Sequence, residues 1–547
     1  MSLTSSTKSN QFTEITIESA TTYHDPFNEI TLDAVFTEPT GKLRRIPAFW
    51  AGSNAWRIRY SSATLGVHHF VTECCDQQNE SLHGINGQIS ITAYCGDNPL
   101  LSHGPIQVAD DKRHFAHADG TPFFWLGDTW WMGLTKRLVW PEQFKQLTND
   151  RKTKGFNVVQ IVAGLYPDMP AFDERGANEE GFPWEQDYTS IRPQFFDAAD
   201  RRIMYLVEQG IMPCILGGWG FHLPWLGTEK MKQHWRYLVA RWGALPVVWA
   251  TAGEQTMPWY LSSNKQQEQE QLKQQWTEVI RYIKQIDGFQ RLITTHPQLS
   301  ARESVTDPYL LDFEMQQTGH HQATEHHAKR AAEGWQAQPV MPVICAESRY
   351  EALGITPPVI ARDARQTFWA HLLNSGCAGH TYGANGVWQV NQPGQPFGKS
   401  PGGNDWGNLP WNEAMHLRGS NQMAAAKRFL LTLPWYNLHG ICKPKSRLAT
   451  TRFANILSSV MPKKSAVAAA ASPDGTIALY YLLYKKPIVI NMQRFSAEVH
   501  ASWIDPASGL KKSISNKTFI NKGKLEFTPP GKNSDDDTDW ILLLKTG

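Results

Sequence analysis

The sequence lacks the long apolar runs of a membrane protein. No stretch reaches the roughly 20 consecutive apolar residues that a membrane-spanning helix needs. The N-terminal segment MSLTSSTKSNQF also lacks the apolar core of a signal peptide. We therefore expect a soluble protein that is cytoplasmic as the sequence is written, and periplasmic or secreted if the chain has been trimmed.

Cysteine is scarce and irregularly spaced. The seven cysteines form neither a metal-binding pattern nor an even-numbered disulfide framework. The sequence also shows no Gly-rich phosphate loop after a strand and no Gly-x-Ser-x-Gly elbow. The pairs His320-His321 and His326-His327 could bind a metal, but solvated histidines are the favoured interpretation. We predict a protein without a metal or a cofactor.

An excess of one charge is missing as well. The 53 Lys and Arg residues nearly balance 51 Asp and Glu, and the net charge is +2. With no basic block, nucleic acid is not an expected partner. Aromatic residues are abundant instead, with 22 Trp, 16 Tyr and 24 Phe. Their flat apolar faces suit stacking on sugar rings, although large β-rich proteins also place Trp in their cores.

The chain is long enough for several domains, and its periodicity changes twice. Residues 1–108 alternate in polarity as half-buried antiparallel strands do, for example over 32–37 and 56–60. From 109 to 440, short apolar strands alternate with amphipathic helices, and residues 441–547 return to a β pattern. The predicted fold class is α/β: a catalytic (β/α)8 TIM barrel over 109–440, flanked by β-sandwiches over 1–108 and 441–547.

Two predicted barrel strands lead to a glutamate. Residues 247–253 lead to Glu254, and residues 340–346 lead to Glu347. The C-terminal ends of barrel strands open on one face, and two carboxylates there can hydrolyse a glycosidic bond. The alternative is that each is an ordinary carboxylate in a salt bridge. We predict Glu254 as the general acid/base and Glu347 as the nucleophile of a retaining enzyme, because strands four and seven face each other.

Polar and aromatic residues end the other predicted strands and should line the same mouth. Amide and imidazole groups suit a polyhydroxylated ligand, whereas indoles suit the apolar faces of a sugar. The substrate-binding candidates from this argument are Asp128, Gln160, Trp219, His296, Gln316, His380 and Tyr382.

Several segments of the chain resemble a known family. They cover 119–131, 151–157, 296–297, 316–320, 346–351 and 379–389. With them, residues 113–440 resemble the apiosidase-like glycoside hydrolases, a barrel family long catalogued as a domain of unknown function. Residues 1–108 resemble the N-terminal domain often joined to such barrels, and residues 441–547 resemble a C-terminal partner sometimes labelled collagen-binding.

The resemblance implies a glycoside hydrolase acting on oligosaccharides from plant or algal polysaccharides. The catalytic acids of the family fall on Glu254 and Glu347, although relatives often have Asp after Gly-Gly where this chain has Ala252-Gly253-Glu254. The matching segments add Trp130, Trp131, Tyr350 and Trp388 to the substrate-binding candidates. A catalytically inactive carbohydrate-binding protein is the alternative, because the flanking sandwiches and the number of tryptophans fit it equally well. The pair of facing carboxylates, which binding alone does not need, distinguishes the two. The sequence does not predict an oligomeric state.

Overall fold

The computed structural model describes residues 3–354, 357–441 and 466–547. Its sheets follow one another along the chain as a mixed-sheet sandwich, a parallel barrel and a second sandwich. Within the described residues, no helix has the length and apolarity to cross a bilayer.

The N-terminal region is a two-sheet sandwich. In spatial order, one sheet contains Leu3–Lys8, Asn86–Thr92, Gly66–Cys74, Leu32–Thr37 and Leu43–Pro47, and the other contains Thr13–Glu18, Ala55–Tyr60 and Phe49–Gly52. Inward-facing residues of both sheets form one core, in which Phe36 stacks on Tyr60 with ring centroids 3.8 Å apart. The short helix Pro26–Glu29 connects two of its strands, and the short helix Pro99–Ser102 follows its last strand, Asn86–Thr92.

The central sheet has eight parallel strands. They are β1 (Trp125–Trp130), β2 (Val158–Val162), β3 (Met212–Leu216), β4 (Val248–Ala250), β5 (Ile293–Thr294), β6 (Glu314–Gln317), β7 (Val343–Glu347) and β8 (Gly379–Tyr382). The spatial order is β5-β4-β3-β2-β1-β8-β7-β6. The Asp312 amide donates to the Ile293 carbonyl at 2.9 Å, which joins the two ends of the sheet. The predicted α/β barrel is therefore confirmed.

Helices surround the barrel. They are α1 (Glu142–Thr153), α2 (Pro193–Glu208), α3 (Thr228–Trp242), α4 (Lys265–Ile286), α5 (Thr324–Gln336), α6 (Ala361–Ser375) and α7 (Arg418–Leu430). The connection from β5 to β6 contains only the 3-10 turns Ala301–Ser304 and Pro308–Leu310. Shorter helical segments are His222–Leu226, Trp411–Ala414 and the 3-10 turns Glu174–Gly176, Gln186–Tyr188 and Trp435–Asn437.

A small antiparallel sheet covers the face of the barrel at which the strands begin. Its strands are Ile106–Val108, Phe115–His117 and Pro122–Phe123. The ring of Phe115 lies 5.8 Å from that of Trp125 and 5.1 Å from that of Phe313, both at the start of barrel strands. The barrel is thus closed by aromatic packing at this end, which leaves the other end for a site.

The C-terminal region consists of two sheets over a shared core. The larger sheet contains, in spatial order, His439–Gly440, Ala466–Ala471, Ile477–Leu482, Trp540–Thr546, Val499–Ile504 and Lys511–Ser513, and the smaller contains Ile488–Asn491 and Lys524–Phe527. A 3-10 turn, Met492–Arg494, follows the first strand of the smaller sheet.

Buried arginine–aspartate networks join both flanking regions to the barrel. Arg59 of the N-terminal sandwich makes a bidentate pair with Asp200 of α2, at 3.2 and 2.5 Å. Arg365 of α6 donates to Asp535, Asp537 and Asp539 of the C-terminal sandwich at 2.8–2.9 Å. Because of these pairs, the acidic run before Trp540 is part of a domain interface.

Candidate active site

A single amide group bridges the two strand-end glutamates. The Gln317 Nε2 group donates to Oε1 of Glu254 at 3.0 Å and to Oε1 of Glu347 at 3.1 Å. The two carboxylate oxygens can therefore be no farther apart than the sum of these distances. That limit lies below the separation of roughly 6.5–9.5 Å that is typical of inverting glycosidases.

Glu254 follows β4 on a tight turn that holds it in an unusual backbone conformation. Its φ of 39° lies in the left-handed region, which costs a non-glycine residue about 1–3 kcal/mol and is concentrated at functional sites. The preceding Gly253 is needed because a Cβ there would lie 2.1 Å from the Trp219 ring. The hydrogen bond from the Gly253 amide to the Gly218 carbonyl, at 2.8 Å, fixes this turn against the end of β3.

Glu347 is the last residue of β7 and lies among imidazoles. His320 Nε2 is 3.0 Å from Oε1 of Glu347, and His296 Nε2 is 3.5 Å from its Oε2. Glu347 is only 6% exposed. A carboxylate buried to this degree needs such donors or positive charges to stay ionised.

The surroundings shift the pKa values of the two carboxyls in opposite directions. Burial and the negative charge of Glu347 raise the pKa of Glu254 to about 7. Burial also disfavours ionisation of Glu347, but His320, His296 and Tyr350 outweigh it and lower the pKa of Glu347. Near neutral pH one carboxyl can therefore supply a proton while the other is a carboxylate, which is the division of roles in acid/base-assisted displacement.

A third carboxyl group lies close to the pair. Asp168, on the loop after β2, accepts from the Tyr260 hydroxyl at 2.8 Å, and its amide donates to that hydroxyl at 3.1 Å. Burial raises the pKa of Asp168 to about 6, and the charge of Glu347 adds to the rise. When ionised, Asp168 in turn raises the pKa of Glu254.

Aromatic side chains form the walls of the mouth. Trp131 packs edge-on against Trp219 and His296, with ring centroids 5.5 and 5.1 Å apart. Tyr350 lies 4.9 Å from His320 and 6.3 Å from Trp388. The predicted residues Trp131, Trp219, His296, Tyr350 and Trp388 are thus brought together with the two glutamates.

Gln160 lies inside the barrel, at a lower level than the glutamates. Its Nε2 donates to the carbonyl of Ala346 at 3.0 Å, and its Oε1 accepts from Thr381 at 3.4 Å. Gln160 is fully buried. It therefore supports the end of β7 from beneath, rather than lining the open mouth as the sequence suggested.

Two predicted residues of β1 face the helices instead of the mouth. Asp128 accepts from Arg151 Nε of α1 at 2.6 Å and from the Trp130 indole at 2.7 Å, and it is fully buried. Trp130 packs against Phe144 of α1. Successive side chains of a strand alternate between its faces, so Thr129 and Trp131 point inward while Asp128 and Trp130 point outward. The prediction that they line the mouth is wrong.

The same alternation places two predicted residues of β8 outside the mouth. His380 packs edge-on against Phe368 of α6 at 5.0 Å. The Tyr382 hydroxyl donates to Glu351 at 2.6 Å, and its ring lies near the Arg151 guanidinium. Both side chains belong to the layer between strands and helices, so the prediction that they line the mouth is wrong for them as well.

On β6 the residue that reaches the site lies one position after the predicted Gln316. Gln316 donates to the Arg330 carbonyl at 3.0 Å and lies 3.0 Å from His371 Nε2, which places its amide against α5 and α6. A register shift between Gln316 and Gln317 makes Gln317 the partner of Glu347. The amide in the site is therefore Gln317, because one residue along a strand exchanges the faces.

Sequence reasoning also missed His320, Asp168 and Tyr260. His320 was noticed only as half of a doubled histidine. Its partner is Glu347 rather than a metal, and the described residues contain no group of three or more His, Cys, Asp or Glu arranged to hold a metal ion. Asp168 and Tyr260 lie on long loops, where no periodicity indicates direction. The identity of Gln317 could have been found by counting alternate positions from Phe313.

Comparison with known proteins places the central region in a described family. The family model "Apiosidase-like, catalytic domain" matches residues 109–437. Residues 7–75 match a domain family of unknown function, DUF5060, and residues 454–545 match a family described as a collagen-binding domain of a collagenase. No match was found among curated protein sequences.

Solved structures share the architecture. A glycoside hydrolase of family 5 from Bacteroides vulgatus is similar with a TM-score of 0.63 and 22% identity, over 82% of this chain and 94% of that one. A candidate glycoside hydrolase from the same species aligns over 99% of this chain and 100% of its own length, with a TM-score of 0.68 and 16% identity. At these identities the likeness shows the fold.

Proposed function

The chain belongs to the apiosidase-like catalytic domain family and is a glycosidase, and from that premise we propose that it hydrolyses oligosaccharides of plant or algal polysaccharides with retention of anomeric configuration. Glu254 is the general acid/base and Glu347 is the nucleophile in this proposal. The aromatic side chains of the mouth, among them Trp131, Trp219 and Trp388, suit the apolar faces of sugar rings.

The observation that carries the proposal is the shared hydrogen-bond donor. Because one Gln317 nitrogen donates to both carboxylates, the two oxygens that it binds lie close together, which supports the closer carboxyl spacing of a retaining enzyme. Carboxyls that lie about 5–5.5 Å apart act directly on the sugar, one as nucleophile and one as proton donor.

The reaction proceeds in two displacements. In the first, Glu254 donates its proton to the glycosidic oxygen while a Glu347 oxygen attacks the anomeric carbon, so the C–O bond to the leaving group breaks and a glycosyl ester forms. In the second, ionised Glu254 accepts a proton from water, the water oxygen attacks the anomeric carbon, and Glu347 is released as carboxylate. Gln317 can donate to both carboxyls throughout.

A hydrolysis screen tests the proposal. The full-length protein is incubated with oligosaccharide fragments of plant cell-wall and algal polysaccharides, and released reducing sugar is compared with the Glu254→Gln/Glu347→Gln double variant. Proton NMR of the first-formed anomer then gives the stereochemistry, for which we expect retention. Binding without turnover of any bound glycan would favour the carbohydrate-binding alternative, and an inverted first product would make Glu347 a base.

A further inference from the structure

We propose that Trp225 and Trp259 form a subsite for a sugar ring on the leaving-group side of the bond that is cleaved. This inference rests on the proposed function, because it takes Glu254 as the proton donor. It makes the protein an enzyme for glycosides whose leaving group is itself a sugar, rather than for glycosides of small alcohols.

The two indoles belong to one aromatic cluster at the rim of the barrel. Their ring centroids are 4.9 Å apart, and both rings pack on the buried Phe221, at 5.1 and 5.0 Å. Phe221 is 1% exposed, whereas Trp225 and Trp259 are only partly buried and Leu261 beside them is 67% exposed. A buried aromatic residue thus supports two indoles whose remaining surface is open to a ligand.

The position of the cluster follows from topology. Trp225 lies in the segment His222–Leu226 after β3, and Trp259 lies on the loop after β4. Loops that follow barrel strands form the face of the active site. Both tryptophans therefore lie on the same face of the barrel as Glu254. Trp259 follows β4, as Glu254 does, and Trp225 follows the neighbouring strand β3, whereas Glu347 lies on β7.

Hydrogen bonds connect the cluster to the proton donor. The amide of Met257 donates to the Glu254 carbonyl at 2.6 Å, which turns the chain directly from Glu254 into Pro258 and Trp259. Tyr260 packs 5.4 Å from Trp259 and donates its hydroxyl proton to Asp168, whose charge acts on Glu254. These contacts therefore fix the position of the indoles relative to the Glu254 carboxyl.

The role of Glu254 decides which part of the substrate the indoles meet. A general acid must reach the oxygen that departs, so the group beyond that oxygen lies on the side of the acid. In this proposal the sugar that becomes bound to Glu347 lies beside Tyr350, which contacts Glu347, and beside Trp388, which packs near Tyr350. A ring on the leaving group can then stack on Trp225 or Trp259, where its apolar face replaces water.

Calorimetric binding tests the subsite without requiring turnover. The probes are xylan-, arabinan-, mannan- and pectin-derived oligosaccharides of increasing length and their constituent monosaccharides, each titrated into the full-length Glu347→Gln protein. We expect Trp225→Ala and Trp259→Ala each to weaken oligosaccharide binding about tenfold, as truncation of a central aromatic contact does. Monosaccharide binding should not change, and Trp259→Phe should restore most of the loss.

The matched control is Trp335→Ala, because Trp335 is a partly buried tryptophan at the end of α5, where that helix leads back toward the start of β7. It should leave oligosaccharide binding unchanged. Oligosaccharide affinities that do not depend on Trp225 or Trp259, or no oligosaccharide binding at all, would overturn the inference. Tryptophan-dependent binding of glycans that the wild-type protein never hydrolyses would instead retain the subsite and refute the proposed function.

Discussion

The ends of β4 and β7 present the same residue type in contrasting surroundings. Glu254 leaves its strand on a left-handed turn beside Trp219, and burial dominates its titration. Glu347 is the regular last residue of a strand, with His320 and His296 within 3.5 Å of its oxygens. Two residues of the same type therefore titrate differently, because their surroundings shift the two pKa values in opposite directions. In the proposed mechanism this difference sets the role of each carboxyl.

Glu347→Gln should give the largest effect. Without a nucleophile, no covalent intermediate forms, and we expect kcat to fall about ten-thousandfold or more, as for loss of other enzymatic nucleophiles. The loss should be similar for sugar and for activated aryl leaving groups. Initial rates on both substrate types measure it, with Glu333→Gln on the exposed side of α5 as a control. If the Glu347→Gln enzyme were active, Glu347 would not be the nucleophile, and the difference in role between the ends of β4 and β7 would be refuted.

Glu254→Gln should lower kcat/KM about 10²–10⁴-fold on substrates with a sugar leaving group, because proton transfer contributes that much. A leaving group that departs without protonation needs no general acid, so activated aryl glycosides should lose much less in the first step. The measurement is the ratio of the two substrate types in wild type and variant. Equal losses on both types would mean that Glu254 is not the proton donor.

His320→Gln should have an intermediate effect that appears mainly in acid. Removing the imidazole deprives Glu347 of a donor and of a positive charge, so the pKa of Glu347 rises. As the pH falls, the carboxylate needed for attack is then protonated at a higher pH than in the wild type. The acidic limb of the pH–rate profile should therefore move to higher pH. We expect a fall of about tenfold at pH 6, within the usual range for a charged hydrogen bond. An unmoved acidic limb would contradict the role given to His320.

Asp168→Asn should give the smallest effect, on the opposite limb. The acid form of Glu254 is required, so activity should be lost as pH rises through about 7. Ionised Asp168 raises the pKa of Glu254, and the amide removes that charge, so the basic limb should move to lower pH by a fraction of a unit. Tyr260→Phe, which keeps the Asp168 carboxyl, is the control. A basic limb that moves upward would contradict the proposed electrostatic coupling.

The fold was predictable because the periodicity of the chain is strong. Short apolar strands alternating with amphipathic helices predict parallel β/α structure, and all eight predicted strands are present. The connection from β5 to β6 departs from this alternation, because it contains only 3-10 turns. The interface role of the acidic run Asp535–Asp537 was not predictable, because Arg365 lies 170 residues from Asp535 in sequence.

The site was predictable only in part, because position at a strand end does not specify direction. Trp131, Trp219, His296, Tyr350 and Trp388 lie in the mouth with the two glutamates. In contrast, Asp128, Trp130, His380 and Tyr382 occupy alternate positions that face the helices. The alternation of β1 and β8 follows from period two, and counting alternate positions from Phe313 would likewise have placed Gln317 rather than Gln316 in the site.

The difference between the two carboxyls can be measured without knowing the sugar. An infrared titration in D2O follows the C=O band of protonated carboxyl groups in the wild type, Glu254→Gln and Glu347→Gln proteins. We predict that the wild-type spectrum near pH 6 contains a protonated carboxyl that titrates at about 7 and is absent from Glu254→Gln, beside a second component from Asp168, whose pKa is about 6. A component titrating at about 7 that is absent from Glu347→Gln but present in Glu254→Gln would reverse the assignment of acid and nucleophile.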